Sequence, residues 1–332
     1  MQFHGLAGND HTKRRLAADI DADRFPHALL IEGPPGSGRR TLARLVAKAA
    51  VCRAQQPAQR PCGVCPACIK AAVGAHPDIE EVGGDGAARS FHIDVVRQLR
   101  GSTYVLPNES PRWVLILAGA NAMTEQAQNA LLKILEEPPA HVLFVLTCEN
   151  RSQLLPTVQS RCMCVPLGGV TEEEALAVLR ERLPHAEETD LRRAVQVFGG
   201  VIGQALDGME NGTFQRVMQF APAMALAVTE PFELALLKQT AAFEKDKDTL
   251  DGVLRGMLLL FRDALVRRSG ANSRLSTSPE TAEQLAKKLS RVQLMRLIGV
   301  VEELQRARLR NMNHTLFLTL LCSRLREAAG HE

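Results

Sequence analysis

The stretch HALLIEGPPGSGRRT, residues 27–41, decides the first domain of this chain. It opens on a short apolar run, turns through glycines and prolines, and continues into the helical pattern RTLARLVAKAAVC (40–52). Strand, glycine loop and helix in that order are the setting of a phosphate-binding loop, G-x-x-x-x-G-K-[ST]. The lysine of that pattern serves the phosphates and the hydroxyl serves a magnesium ion. Here Gly33, Gly36 and Gly38 are in place, but Arg39 and Arg40 follow, and Thr41 comes one position late. Arginine keeps the charge of lysine but is a bulkier planar fork, so Arg39 is an unfaithful substitute. Arg40 cannot ligate a cation, and Thr41 would need a shifted loop to do so.

Four more apolar runs lie outward from this stretch: the weaker DIEEV (78–82), then WVLILAGA (113–120), HVLFVLTC (141–148) and CMCVPL (162–167). Apolar runs without alternation suit strands covered on both faces, as in a parallel sheet. Between them lie the helical patterns IDVVRQLRGS (93–102) and TEQAQNALLKILEE (124–137). The latter has Thr124 as a predicted N-cap and ends before Pro138. Strands alternating with helices predict an α/β domain. After residue 168 the strand patterns stop. TEEEALAVLRERL (171–183) starts with a capping threonine and acids in its first turn. A second helical unit runs to about residue 208 through the turn FGGVIG (198–203), and long amphipathic helices follow, with a polar loop at 269–281. The expected division is an α/β domain over 1–168 with a cysteine-rich insertion at 52–68, a small helical domain over 169–210 and an all-α domain over 211–332.

A length of 332 residues accommodates two or three domains. The net charge of +3 is too mild to mark a nucleic-acid-binding surface by itself, and 4% aromatic residues argue against a base-stacking platform. No run approaches the roughly 18 apolar residues of a membrane helix, and the N-terminal residues have no signal-like apolar core. A cytoplasmic protein with no membrane partner is expected, in which eight cysteines read as thiols or metal ligands rather than disulfides.

Three cysteines recur at two-residue gaps in PCGVCPACIK: Cys62, Cys65 and Cys68. Cys52 lies upstream, at the end of the helix after the glycine loop. Four thiolates close a tetrahedral structural zinc site that leaves no open position for catalysis. Two alternatives stand beside zinc: an iron–sulfur cluster, whose expected downstream Cys-Pro is missing, and four independent buried thiols. Cys148, Cys162, Cys164 and Cys322 lie in apolar runs and read as core.

Taken together, FPHALLIEGPPGSGRRTLA, the cysteine cluster, HPD (76–78), NALLKILEEPP (129–139) and SRC (160–162) make the chain resemble bacterial clamp-loader subunits of the AAA+ class along nearly its full length. The resemblance implies an α/β nucleotide-binding domain, a small helical lid and a helical collar through which subunits form a ring. It also implies partners: motor subunits of the gamma/tau kind, a delta subunit, and, through the complex, a sliding clamp and primer-template DNA. Motor subunits of the family hydrolyse ATP. Four positions that serve the reaction there are altered here. The loop carries Arg39 and Arg40. The acidic pair that ends the third strand is replaced by Ala118 and Gly119. The sensor threonines are replaced by Cys148 and Glu149, and a lid arginine is replaced by Gly203. The resemblance is therefore to the non-hydrolysing kind of subunit, with no ATPase activity of its own but a place in a DNA-directed DNA polymerase assembly.

By the same resemblance, Arg161 matches an arginine that enters the neighbouring subunit's ATP site as a finger in trans. Read alone, an arginine before a strand is an ordinary salt-bridge partner. Ala127, Ala130, Leu131, Ile134 and Leu135 recur at helical spacing as core, and Lys133 is read either as solvated or as touching a DNA phosphate. Phe317, Leu318, Leu321 and Leu325 fall on one helical face, while Arg306, Arg310, Arg324 and Arg326 are left for subunit contacts or solubility. A motor using Arg39 and Thr41, and a zinc-ribbon protein with salt-sensitive DNA binding, are the competing classes. The loop's N–H groups and helix start also suit weak anion binding without hydrolysis.

Overall fold

The computed structural model describes residues 1–83, 96, 99, 101, 103–271, 278–308 and 313–331. The helical pattern at 93–102 lies outside the described residues apart from Val96, Leu99 and Gly101, as do 272–277 of the polar loop and Arg310. The chain forms two compact units, Met1–Val170 and Thr171–Glu332.

The first unit is built on a parallel sheet whose strands are β1 (Ala28–Glu32), β2 (Ile79–Gly83), β3 (Trp113–Ala118), β4 (Val142–Cys148) and β5 (Met163–Pro166), in the spatial order β2-β3-β4-β1-β5. Each forms where an apolar run predicts it. The central strands are apolar throughout because successive side chains face opposite sides of the sheet and both sides are covered. Leu29, Ile31, Val114, Ile116 and Val145 bury against Leu42, Val46 and Ala50 on one side. Those three belong to helix α2 (Arg39–Val51), which follows α1 (Asp10–Asp21) in the chain. Leu30, Leu115, Leu117, Phe144 and Leu146 bury against Leu131, Ile134 and Leu135 on the other. Short helix α3 (Pro66–Ala72) follows the cysteine loop. Helix α4 (Glu125–Glu136) starts as expected, with the Thr124 hydroxyl accepting from Ala127 N–H at 3.2 Å.

A buried carboxylate anchors the loop that leads into β3. Asp78 accepts from the N–H groups of Asn108 (2.6 Å), Glu109 (2.8 Å) and Ser110 (2.8 Å) and from the Asn108 side-chain amide (3.1 Å). His76 accepts the Asp78 N–H on Nδ1 at 3.1 Å, which leaves Nε2 to donate to the Ser110 hydroxyl 3.2 Å away. The HPD motif therefore serves as a bracket between two loops.

The described part of the second unit is helical: α6 (Glu172–Arg182), α7 (Glu188–Phe198), α8 (Ile202–Glu210), α9 (Thr213–Ala227), α10 (Leu234–Ala241), α11 (Lys247–Arg268), α12 (Pro279–Lys288), α13 (Arg291–Arg308) and α14 (His314–Ala329). Helix α5 is the single turn Pro156–Gln159 of the first unit. Thr171 and Glu174 form a reciprocal capping box on α6. Helix α11 packs against α7, α9, α12 and α13, so the segments expected as small helical domain and all-α domain share one compact unit. Phe317, Leu318, Leu321 and Leu325 are buried, as their spacing predicts. Among the described residues no helix is long and apolar enough to cross a membrane.

Candidate functional site

The glycine loop joins β1 to α2. Gly38 is the α2 N-cap in the left-handed region, at φ 88°, where a side chain is strained. A Cβ on Gly33 would stand 2.5 Å from the Leu167 carbonyl oxygen and 2.6 Å from the Ser37 hydroxyl. Both glycines thus have reasons to be glycine that involve no nucleotide. Arg39, at the lysine position, is buried, with only 5% of its surface exposed. Arg40, at the hydroxyl position, is ion-paired with Glu81 on β2, and Arg44 holds the same carboxylate at 2.8 Å. Thr41 is exposed.

The end of β3 has no carboxylate. Ala118 is its last residue, and Gly119 turns away at φ 76°. The Gly119 N–H donates to the Thr147 hydroxyl at 3.0 Å. Cys148, at a sensor position, is fully buried. Burial pushes its thiol up to about 12, with the Glu32 carboxylate adding to the rise and the Arg39 charge opposing it. Glu149 is exposed, and Gly203 is half-buried in α8.

The four cysteines come together. Cys52 caps the C-terminus of α2, and the Cys65 side chain caps α3. Gly63, at φ 77°, and Pro66, in the first turn of α3, fold the intervening chain back on itself. The four sulfurs lie within 4.8 Å of one another, with Cys62 and Cys68 at 4.0 Å. Tetrahedral thiolates about 2.3 Å from one ion stand about 3.8 Å apart, so little contraction is needed. Backbone N–H groups already point at the sulfurs. Cys62 N–H and Ala54 N–H donate to Cys52 at 3.4 and 3.5 Å, Cys65 N–H to Cys62 at 3.4 Å, and Cys68 N–H to Cys65 at 3.4 Å. Burial works against ionisation of Cys62, but the Cys65 and Val64 N–H groups and the neighbouring thiols outweigh it and hold that thiol at about 6. Burial drives Cys68 up, and Cys52 with it. One ready thiolate beside thiols that resist ionising alone suits a cation that neutralises them together. The donor set fits a divalent, thiolate-preferring ion, and the pair Cys62–Cys68 stands 4.0 Å apart with no disulfide.

Arg161 stands apart from the loop. It sits in the turn between α5 and β5, where the His27 ring nitrogen bonds its carbonyl oxygen at 3.0 Å. Since β1 and β5 run parallel, with Leu29 opposite Met163, Arg161 is level with residue 27, at the edge where β1 begins. The glycine loop leaves the edge where β1 ends. Strand β1 (five residues) and its two flanking steps, from the level of residue 27 to Gly33, separate the two levels by about 20 Å. The guanidinium, about one-third exposed, is paired with Glu136 at 2.8 Å and donates to the Thr157 carbonyl at 2.9 Å.

Sequence reasoning passed over Glu81, Thr147 and Glu136 as partners in these sites. The only available signal for Glu81 was two acids in an otherwise strand-like run, and Glu136 ends a helix at the pole that disfavours acids. Lys133 is exposed. Arg324 is paired with Glu303, Arg306 with Glu302, and Arg326 donates to the Pro231 carbonyl.

The family model described as "DNA polymerase III, delta subunit" matches residues 8–171. The DNA polymerase III subunit delta' of Escherichia coli is 28% identical over 94% of this chain and 92% of its own length. That of Pseudomonas aeruginosa is 37% identical over 52% of this chain and 53% of its own. The subunit gamma/tau of Mycobacterium tuberculosis is 29% identical over 97% of this chain, which spans 60% of that relative's length. Its five-stranded parallel sheet, its altered phosphate loop and these matches together make the chain similar to the delta-prime subunits of DNA polymerase III clamp loaders.

Proposed function

We propose that this protein is a clamp-loader subunit of the DNA polymerase III assembly that does not hydrolyse ATP itself. It joins gamma/tau-type motor subunits and a delta-type subunit, and it lends Arg161 to a neighbour's ATP site while the complex loads a sliding clamp on primed DNA in the cytoplasm. The observation that carries this reading is the separation of Arg161 from its own loop by the length of strand β1, roughly 20 Å. A guanidinium on that edge serves a phosphoryl group held by another molecule. There it would stabilise charge that grows in the transition state.

The chain's own loop is disarmed in a consistent way. Arg40 is committed to Glu81 where a hydroxyl would hold magnesium, and Ala118 ends β3 where a carboxylate would hold the ion and orient water. The four-cysteine cluster is a structural zinc site in this reading. Cys52, Cys62, Cys65 and Cys68 hold the ion, close its coordination and fasten the end of α2 to the start of α3.

Reconstitution tests the reading. The chain is mixed with a gamma/tau and a delta subunit, and DNA-stimulated ATP hydrolysis and clamp loading are measured with wild type and Arg161→Ala. The variant should assemble normally and turn over ATP several-fold more slowly. At the one site that depends on it, loss of such a finger is worth about 10³-fold or more. Unchanged turnover would remove the trans role. Steady phosphate release by the isolated chain, abolished by changing Arg39, would overturn the non-hydrolysing role.

A further inference from the structure

We infer that Glu136 is a positioning residue for Arg161, holding its guanidinium in the orientation from which it meets a partner's phosphate; this rests on the trans reading of Arg161. Glu136 is the last residue of α4, followed by Glu137, Pro138 and Pro139. A carboxylate at the C-terminal end of a helix faces the negative pole of the helix dipole, which is unfavourable. Two in succession break a local rule with no gain to the helix, and such breaches belong to sites with another task. For Glu136 the task is visible. Its Oε1 meets Arg161 Nη2 at 2.8 Å, across a gap of two dozen residues of chain. Glu137, also exposed, has no ion pair among the described residues.

The pair is one part of a three-point mount. The His27 ring fixes the Arg161 carbonyl at 3.0 Å. The Thr157 carbonyl takes one bond from Nη1 at 2.9 Å, and the Ser160 hydroxyl lies 3.4 Å from the same nitrogen. Glu136 takes Nη2. A guanidinium has five N–H donors in a rigid fork, so these contacts orient it and still leave donors for a phosphate oxygen. An arginine loses rotamer freedom when it is immobilised, which is an entropic cost. Fixing it beforehand removes that cost from the encounter with the partner, which is the general benefit of pre-organisation. The exposed pair adds little to the stability of the fold, so its value is in orientation.

The test uses the reconstituted complex with a gamma/tau and a delta subunit, and compares wild type, Glu136→Ala, Glu136→Gln and Arg161→Ala. Glu136→Ala is expected to lower the kcat of the Arg161-dependent hydrolysis about tenfold, in line with the cost of a misplaced group, and to leave the KM for ATP unchanged. Glu136→Gln keeps an oxygen that accepts the same hydrogen bond and should recover part of the loss. In the free full-length chain, selective 15N labelling of arginine should show slow exchange of the Arg161 side-chain N–H that disappears in Glu136→Ala. An unchanged or raised kcat in Glu136→Ala, with Arg161→Ala still impaired, overturns the positioning role and leaves the trans arginine standing. An unimpaired Arg161→Ala overturns both. A lower melting temperature with unchanged kcat marks Glu136 as merely structural and also overturns the proposal.

Discussion

The backbone N–H of Gly119 donates to the hydroxyl of Thr147 at 3.0 Å, joining the ends of β3 and β4 where a metal-bearing nucleotide site would need a carboxylate. A polar group at the end of each strand remains, but it is turned to holding the sheet together. Thr147→Val should therefore cost about 1 kcal/mol of stability, or somewhat more, because it removes the acceptor and leaves the donor partly buried. Urea unfolding of the isolated chain measures it. An unchanged midpoint would show that water replaces the hydroxyl without penalty.

The cysteine cluster predicts one bound ion per chain. Elemental analysis of protein purified without chelator should give one zinc, and Cys65→Ser should lose most of it. The thermal unfolding temperature should fall with the metal, since binding free energy at such a site is folding free energy. Ligand thiols must be deprotonated to hold the ion, so acidification should release it. Release is followed with a colorimetric zinc indicator. Four freely titrating thiols in a metal-free preparation of wild-type stability would contradict this.

Asp78 predicts a specific pH dependence. Its burial favours the neutral acid, but the N–H groups of Asn108, Glu109 and Ser110, together with the Asn108 amide, outweigh burial and hold its carboxyl below the ordinary carboxylate range. A folded-state value depressed below the unfolded one contributes stability that is present above about pH 4 and lost as pH falls through the folded value. Asp78→Asn should cost about 3 kcal/mol at neutral pH, the range for a buried charged acceptor losing its bonds. The gap from wild type should narrow in urea titrations carried out at pH 3. A gap that is equal at both pH values would assign the loss to packing instead of charge.

The elements that were legible in the sequence share a physical basis. β1, β3 and β4 are covered on both faces, and burial of that kind writes itself as an unbroken apolar run. Thr124 and Thr171 were readable as caps because capping is local, acting over three residues. The cysteine cluster was readable because its geometry is set by two-residue gaps. Glu81, Glu136 and Asp78 were not. Their partners lie 41, 25 and 30 residues away (Arg40, Arg161 and Asn108), and a lone acid gives no periodic signal of the pair it will make. HPD was visible as a motif, but its role as a bracket appears only when residues 108–110 arrive beside it.

The last prediction separates charge from shape at Arg161. Lysine there would keep the positive charge but replace the planar fork by a compact ammonium on a flexible stem. The mount around Arg161 is built for a fork, with Nη1 on the Thr157 carbonyl and Nη2 on Glu136. An ammonium of shorter reach cannot satisfy both and still present donors to a phosphate. Arg161→Lys in the reconstituted complex should thus recover little of the turnover lost in Arg161→Ala, while assembly stays normal in both variants. If bulk positive charge were the whole contribution, lysine would restore hydrolysis to near the wild-type rate. Steady-state ATP hydrolysis at two salt concentrations, with assembly followed by sedimentation, distinguishes the two outcomes. Normal assembly without recovery of turnover is the result that the geometry at Arg161 requires.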